Sequence, residues 1–298
     1  MLLPIYVAVT LITFLLLHAI PGDPAIAYFG QNPGVPPEVI EAFRQKMGLD
    51  QPVYIQYFHF FVNTLQLDLG TNIRTGRPIS AEILARLPNT IALAVFAMVI
   101  GLSVAIPVGT ISAVKRYSLI DKVSMVLSSI FVSTPNFWLA LTFAFVIGYQ
   151  LRLLPISGSG GIEHVILPSL ALGITNIGWI LRLTRSSMLD VFRQDYIRTA
   201  KSKGLAERTV IFKHGLKNAI LEVITMVGLR FSQLLGGAIV VEQVFAYPGI
   251  GTYALLGVRD RNYPVVLGTL VMVSMTFALI NIIIDLLYAY FDPRIRYG

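Results

Sequence analysis

The 298-residue sequence contains no cysteine, which excludes disulfide bridges, thiolate metal sites and cysteine nucleophiles. Charge is also scarce, because 13% of the residues are charged, against about 25% in a typical soluble globular domain. Hydrophobic residues make up 55% of the chain and are gathered into long runs without charges. This combination predicts a protein whose surface lies in a lipid bilayer rather than in water.

The common sequence motifs of enzymes are missing as well. There is no GxxxxGK[ST] phosphate-binding loop, no HExxH zinc motif and no GxSxG nucleophile elbow. The histidines are too scattered for a metal motif: they are His18, His59, His164 and His214. We therefore predict that the chain is not an enzyme and has no catalytic, metal or cofactor site of its own.

Six apolar runs approach or exceed the roughly 20 residues that a helix needs to cross a bilayer. They run from Leu2 to Ile20, Leu87 to Val114, Val123 to Leu151, Val165 to Leu181, Val223 to Val241 and Asn262 to Ile284. The second and third are longer than a bilayer is thick, so we expect them to tilt, project, or bend at Pro107 and Pro135. The first resembles a signal peptide with a cleavage site near Ala25, but no basic segment precedes it, which favours a retained span.

Most lysines and arginines lie in the connections after spans two and four and after span six, which predicts that these connections and both termini are cytoplasmic. This topology also explains the net charge of +7 without a nucleic-acid partner. The long connection from Pro21 to Arg86 is then external. Its sequence predicts a helix that follows Pro36-Pro37 and ends at Gly48, and a second helix from Pro52 to Leu67. Such a folded region serves either as a cap or as a docking surface.

The basic connection from Asp195 to Thr225 predicts a helix, a turn and a second helix. Lys201 and Lys203 suit the negative end of the first helix, and Gly204 suits a left-handed cap. Glu207 falls in the first turn of the next helix. A solvated basic loop, or a patch on anionic lipid, remains the alternative interpretation.

The order of motifs in this connection also resembles a known family. Ala200 is followed four residues later by Gly204 and then by a basic amphipathic run, which resembles the EAA loop of ABC-importer permeases in the dipeptide, oligopeptide and nickel branch. Further matching segments occur in order: HAIPGDPA (18–25), GLDQP (48–52), PNFWLALTF (135–143), LPISG (154–158), ILPSLALG (166–173), RLTRSSMLDV (182–191), GGAIVVEQVFAYPGIG (236–251), RNYPVV (261–266) and DLLYAYFDPRIRYG (285–298). The resemblance therefore covers essentially the whole chain.

The resemblance implies that this loop forms a short coupling helix seated in a groove on a cytoplasmic ATPase. The residues that it assigns to this role are Asp195, Tyr196, Ala200, Lys203, Gly204 and Leu205. It also implies a second, related permease subunit, two ATPase subunits that bind ATP and magnesium, and an extracytoplasmic substrate-binding protein. The permease subunits are embedded in the lipid bilayer, and this chain is expected to bind no cofactor of its own.

Span five carries Arg230, the one formal charge inside the six runs. Because a charge in hydrocarbon is costly, we expect Arg230 to face the bundle interior, a water-filled path, or an acid such as Glu222 or Glu242. We favour structural pairing over contact with substrate. Small residues on the same span recur every four positions, which predicts a packing seam or a pore wall. They are Gly228, Ser232 and Gly236.

We thus predict an all-α membrane protein with six transmembrane helices. Residues 1–20 form the first of them, 21–86 an external loop region, 87–291 a five-helix core with the coupling segment 190–217, and 292–298 a cytoplasmic tail. The expected function is the permease subunit of an ATP-driven importer of di- or oligopeptides in a prokaryotic inner membrane. Nickel, a metal chelate or glutathione are alternative cargoes. A stand-alone secondary transporter or channel is less favoured, because it predicts several deep charges and internal repeats.

Overall fold

The computed structural model describes residues 2–19, 24–29, 35–46 and 48–291. Within these ranges the regular secondary structure is helical, apart from one isolated antiparallel bridge between Thr71 and Pro78. The predicted tail 292–298, and residues 20–23 of the first matching segment, lie outside the described residues. The chain divides into two compact units: unit 1 is Met1–Pro88 with Gly249–Leu279, and unit 2 is Asn89–Pro248 with Ile280–Gly298.

The helices are named here in chain order. They are α1 (Leu2–Ala19), α2 (Pro24–Phe29), α3 (Pro37–Lys46), α4 (Val53–Leu65), α5 (Ile79–Val114), α6 (Leu119–Ser133), α7 (Asn136–Phe143), α8 (Glu163–Phe192), α9 (Asp195–Ser202), α10 (Glu207–Thr209), α11 (Lys217–Val244), α12 (Ile250–Arg259) and α13 (Tyr263–Phe291). Two of them continue into π-helical turns, α7 into Ala144–Gln150 and α10 into Val210–Leu216. Within the described residues, each of the six apolar runs falls mainly on one or two helices.

Among the described residues, three helical segments are long and apolar enough to cross a bilayer unaided: Ile79–Val114, Glu163–Phe192 and Tyr263–Ile284. Two further pairs meet the same test together but are bent. Leu119–Ser133 and Asn136–Gln150 meet at 98°, and Glu207–Phe231 and Gln233–Val244 meet at 47°. The number of candidate spans therefore reaches five if each pair counts once, and α1 contributes a shorter apolar helix, Leu3–Leu16. The prediction of a helical membrane protein is confirmed at this level.

The 98° bend falls at Pro135, one of the two positions where the sequence predicts a bend. Thr134 is extended (φ −85°, ψ 125°), as expected for a residue that precedes proline. Pro135 then starts the next helix, because its carbonyl accepts the backbone N–H groups of Trp138 and Leu139. Pro107, by contrast, lies inside the 36-residue helix α5, which is assigned as one continuous helix.

Unit 1 contains the two helices predicted between the first two apolar runs, α3 and α4. Gly48, which follows α3, has a φ of +65°, as the predicted helix end requires. The start of α5 was not predicted: it begins at Ile79, so residues 79–86 are its first two turns rather than loop. The reason is that a helix does not have to begin where its apolar run begins. Around this start lies an apolar cluster of Leu69, Ile79, Ile83, Ile250, Tyr253 and Val265.

Unit 2 is organised around α8, which contacts α6, α7 and α11. Glycines let the backbones approach closely, since a Cβ atom on Gly178 would lie 2.5 Å from the carbonyl oxygen of Ser128 on α6. An ion pair adds to the same contact: Arg185 Nε and Nη2 donate to the two carboxylate oxygens of Asp121, at 2.5 and 2.8 Å. Helix α8 is thereby fixed against α6 near the end that leads into α9.

Candidate functional site

The segment that follows α8 forms a separate short helix because the chain becomes extended at Gln194 (φ −73°, ψ 148°). Helix α9 then begins with Asp195 in its first turn and has Lys201 in its last turn. The negative charge at the N-terminal end and the positive charge at the C-terminal end both interact favourably with the helix dipole. The predicted order of helix, turn and second helix is present, and the second helix continues from Glu207 through the π-helical turn into α11.

Gly204 makes the turn after α9. Its φ is +74°, and its N–H donates to the carbonyl of Lys201 at 3.0 Å, while the N–H of Leu205 donates to that of Ala200 at 3.4 Å. No atom lies within 4 Å of the position that a Cβ on Gly204 would occupy. The requirement for glycine here is therefore conformational and does not come from lack of space.

The inner face of α9 packs on the end of α8. Ile197, Ala200 and Val210 form a buried cluster, with exposed fractions of 1%, 6% and 2%, and Val191 and Phe192 of α8 pack against it. A second contact locks the following turn, since a Cβ on Gly215 would lie 2.9 Å from Phe192 Cε1. The short helix is therefore held by apolar contacts on both sides of the turn.

The outer face of the same segment is exposed and carries both apolar and cationic groups. Tyr196 is 43% exposed, Leu205 41% and Phe212 54%. The exposed cations of the same segment are Arg198, Lys201, Lys203, Arg208, Lys213 and Lys217. Exposed apolar and charged side chains on one short segment are consistent with a protein–protein contact.

Helix α8, on which α9 packs, is in turn tied to α11. Ser187 Oγ of α8 donates to Glu222 Oε2 at 2.5 Å, and Met188 packs in a buried cluster with Ala219 of α11 and Ala113 of α5. A displacement of α9 would therefore reach α8 and α11 through packed side chains.

The other residues singled out in the sequence are spread along α11. Arg230 lies with its Cζ 4.1 Å from the ring centre of Trp179, and its Nη1 donates to Gln233 Oε1 at 2.9 Å. Glu242 is fully buried and accepts a hydrogen bond of 2.6 Å from Thr90 Oγ1. Gly236 has open space where a Cβ would lie, and the side chain of Ser232 lies outside the described residues.

The acid pairing suggested for Arg230 is thus replaced by an aromatic ring and an amide. The physical reason is distance along the helix, because Glu222 and Glu242 are about 12 and 18 Å away along the axis at about 1.5 Å per residue. Glu222 instead reaches Ser187.

Two further polar groups were missed by the sequence analysis. Arg182 also lies over the ring of Trp179, at 5.6 Å from Cζ to the ring centre. Trp179 and Arg182 are three residues apart on α8, and this spacing could have indicated that their side chains are neighbours. In unit 1, Glu82 accepts hydrogen bonds from Asn72 Nδ2 at 2.8 Å, Thr75 Oγ1 at 3.2 Å and Tyr253 Oη at 2.5 Å.

The network around Glu82 is buried and closed. Asn262 Nδ2 donates to Asn72 Oδ1 at 2.8 Å, and the Arg86 guanidinium lies 4.4 Å from the ring centre of Tyr253. Burial, followed by the hydrogen bond to Glu82, raises the pKa of Tyr253 well above its usual value, so this phenol stays neutral. In the part of the chain that the structure describes, no group of three or more histidines and acids is placed to hold a metal ion.

Comparison with known proteins places the chain in a family. Residues 105–297 match the family described as the binding-protein-dependent transport system inner membrane component, and residues 2–94 match the family of the N-terminal part of such components. The chain is 39% identical to the dipeptide transport system permease protein DppB of Alkalihalophilus pseudofirmus, over 100% of this chain and 97% of that relative. It is 42% identical to the glutathione transport system permease protein GsiC of Escherichia coli, over 99% and 96%.

Solved structures agree on the fold. An inward-facing structure of the MetNI methionine ABC transporter has a TM-score of 0.58 at 17% identity, over 71% of this chain and 96% of that one. The crystal structure of an amino acid ABC transporter with histidines has a TM-score of 0.53 at 16% identity, over 72% and 95%. At such low identity the likeness concerns the fold alone.

The chain therefore belongs to the family of binding-protein-dependent transport system inner membrane components. It is a permease subunit of an ABC importer, a multi-pass protein of the inner membrane, and ATP is hydrolysed by separate ATPase subunits of the transporter complex. The resemblance noted in the sequence is confirmed.

Proposed function

We propose that this permease carries di- or oligopeptides, and that the coupling segment 190–217 docks on a cytoplasmic ATPase through the exposed face of α9 and its turn. The observation that carries the proposal is the two-sided construction of this segment. Ile197 and Ala200 are buried against the end of α8, while Tyr196 and Leu205 remain exposed on a segment that also carries exposed lysines and arginines. The relative named as a dipeptide permease supports the choice of cargo.

In this proposal the importer contains a second, related permease subunit, two ATPases that bind ATP and magnesium, and an extracytoplasmic binding protein. The chain contributes six spans, with α1 as the first, the pair α6–α7 as the third, and both termini in the cytoplasm. Residues 1–20, 21–86, 87–291 and 292–298 are then the first span, the external region, the five-helix core and the tail. The Lys- and Arg-rich connections support this orientation.

Movement of α9 is the proposed link between ATP hydrolysis and transport. When the ATPases close on ATP, they displace α9, and its packing on α8 and the Ser187–Glu222 hydrogen bond pass the displacement to two spans. A rigid element with two arrangements is what such a switch requires. Asp195 and Lys203 lie on or beside α9 and supply rim contacts.

Replacing Gly204 by valine tests the coupling role, because a β-branched residue strongly disfavours a φ of +74°. We expect ATP-driven uptake of a labelled dipeptide by the assembled importer to be lost, while membrane insertion and assembly with the second permease are retained. Gly204→Asn is the matched control, since asparagine tolerates this conformation better and should keep more of the uptake. Full uptake by the valine variant would refute the coupling role.

Because the chain has no cysteine, single cysteines can report both contact and orientation. Leu205→Cys should form a cross-link to the ATPase, and Arg77→Cys, in the external region, should not. Labelling of Arg77→Cys by an impermeant maleimide added outside intact cells, with Lys203→Cys protected, is the expected pattern. The opposite pattern would contradict the proposed orientation.

Glutathione is the second candidate cargo, because the relatives named as glutathione permeases match at 41–42% identity. It is itself a tripeptide, so the two candidates share their chemistry. Uptake of a labelled dipeptide in competition with unlabelled glutathione and with nickel decides among the cargoes. Inhibition by glutathione at concentrations well below those of dipeptides would favour the second candidate.

A further inference from the structure

Arg182 and Arg230 lie over the same aromatic ring in unit 2. The Cζ atom of Arg230 is 4.1 Å from the ring centre of Trp179, and that of Arg182 is 5.6 Å from it. Trp179 and Arg182 are one turn apart on α8, and Arg230 lies midway along α11. Two positive charges on apolar helices are thus brought close together by the tertiary structure.

Within the described part of unit 2, neither charge is paired with a carboxylate. The ion pairs in the described part of unit 2 join Arg185 to Asp121 and Arg198 to Asp195. Neither Arg182 nor Arg230 takes part in one of them. Within the same described residues, the Nε atom of Arg182 is buried and has no hydrogen-bond partner.

Such an arrangement is costly unless an anion visits it. A buried donor without an acceptor is destabilising, and two guanidinium groups beside each other add repulsion. Charges placed in membrane-spanning helices therefore indicate a functional site by default. Trp179 compensates in part, because a guanidinium group is attracted to the face of an indole ring.

The ring also leaves the site accessible. Trp179 is 42% exposed although it lies on a helix that is otherwise largely buried. The ring beside the two guanidinium groups is therefore partly uncovered in this chain. Planar guanidinium groups are matched to carboxylates, to which they donate two parallel hydrogen bonds.

We propose that Arg182, Arg230 and Trp179 form a transit site for the carboxylate of the transported peptide. This inference rests on the proposed peptide-import function and adds to it the substrate group that the permease recognises. The indole ring keeps the two arginines in place when the site is empty, so that the site persists between transport cycles. A transport site must bind its cargo weakly enough to release it, and a partly compensated arginine pair satisfies this need.

An acidic residue of the second permease subunit is the competing ligand for the same two arginines. A permanent partner of this kind would neutralise the pair in every state, and its loss would weaken assembly of the two permeases. A substrate carboxylate would instead leave assembly unchanged and alter only the binding of cargo. The two sources are therefore separable by experiment.

The test uses the two tryptophans of the chain, Trp138 and Trp179. In the complete importer with Trp138→Phe in this chain, the fluorescence of Trp179 is obtained by subtraction of the same complex that also carries Trp179→Phe. Dialanine and dialanine amide are titrated in nanodiscs without the binding protein. We expect dialanine to change the emission at a concentration at least about tenfold lower than its amide, as loss of a charge-assisted hydrogen bond implies.

Substitutions then assign the effect to the arginines. Arg182→Gln and Arg230→Gln should each raise the half-saturating concentration of dialanine about tenfold or more and leave that of the amide unchanged. Arg230→Lys, which keeps the charge, should lose less, and Arg152→Gln, which removes an exposed arginine, should lose nothing. Copurification with the second permease should be equal for all of these variants.

Three results would overturn the transit site. They are an equal response to the acid and the amide, unchanged binding by the glutamine variants, and loss of assembly in those variants, which would identify a subunit acid as the ligand. ATP-driven peptide uptake by the unmodified importer is measured in parallel. Peptide uptake combined with equal binding of dialanine and its amide refutes the transit site alone. Absence of peptide uptake refutes the proposed cargo.

Discussion

The network around Glu82 in unit 1 and the face of α9 in unit 2 are both polar regions next to apolar helices, but their polar groups have different partners. Glu82 and Tyr253 are buried, and Glu82 receives three hydrogen bonds from within its own unit. On α9, Asp195 and Arg198 are 94% and 82% exposed and stand 3.8 Å apart. The polar groups around Glu82 form hydrogen bonds with one another, whereas those on α9 are available to water or to a partner protein.

The difference shows how polarity is used in the two units. A closed, buried network contributes to the fold because removal of one member strands the others without partners. An exposed pair contributes little to stability, because solvent screens it and long side chains lose entropy when they pair. Substitutions in the two regions should therefore affect different measurements.

The largest expected effect comes from opening the closed network. Replacement of Glu82 by leucine leaves the hydroxyl of Tyr253 and the amide of Asn72 without an acceptor, which should cost about 3 kcal/mol or more of stability. Thermal unfolding of the detergent-purified protein measures this loss. Glu82→Gln should lose less, since it keeps an acceptor, and Glu163→Gln, at an exposed acid, should match the unmodified protein. If Glu82→Leu were as stable as the unmodified protein, the buried network would contribute no more to stability than the exposed face of α9.

The next effect concerns the buried side of α9. Ala200 is 6% exposed and packs with Ile197 and Val210, so leucine at this position overfills the cluster at a cost of about 1–3 kcal/mol. We expect α9 to shift from the end of α8 and ATP-driven uptake to fall at least about tenfold. Ala81→Leu, at an exposed position outside the coupling segment, adds the same side chain without crowding and serves as the control. Normal uptake by Ala200→Leu would show that this packing is not needed for coupling.

The smallest effect on the fold, and the sharpest test of the contrast, comes from the outer side of α9. Tyr196→Ala and Leu205→Ala should leave thermal unfolding unchanged, because both side chains are more than 40% exposed. They should nevertheless weaken binding of the ATPase about tenfold or more, the usual size of a central interface contact. Binding is measured by titration of the purified ATPase onto the permease complex. Loss of stability with binding intact would reverse the assignment of this face.

Much of the local structure was predictable from residue spacing. The end of α3 at Gly48, the bend at Pro135 and the left-handed turn at Gly204 each depend on neighbours within a few residues. The angle of the bend was not predictable, because proline removes a hydrogen bond without fixing the direction of the next helix. The start of α5 at Ile79 was missed, since its first turns are polar on one side.

The charged sites were predicted less well. The sequence singles out Arg230 but not the ring that it contacts, and it proposes acids that lie too far along the same helix. Tyr253 and Glu82 are 171 residues apart, so no local spacing connects them. Pairings between distant segments depend on how helices pack, and that information is spread over every contact between them.

The sequence by itself determined that this protein is a helical membrane protein, because long charge-free runs have only one favourable environment, and the order of its motifs carried the resemblance to ABC-importer permeases. Only the tertiary structure decided which polar groups meet. It enclosed Glu82 with Asn72 and Tyr253, and it set Arg182 and Arg230 over Trp179. The reason is that hydrophobic burial selects helices by their composition, whereas hydrogen bonds and charges act over a few ångströms and depend on final positions.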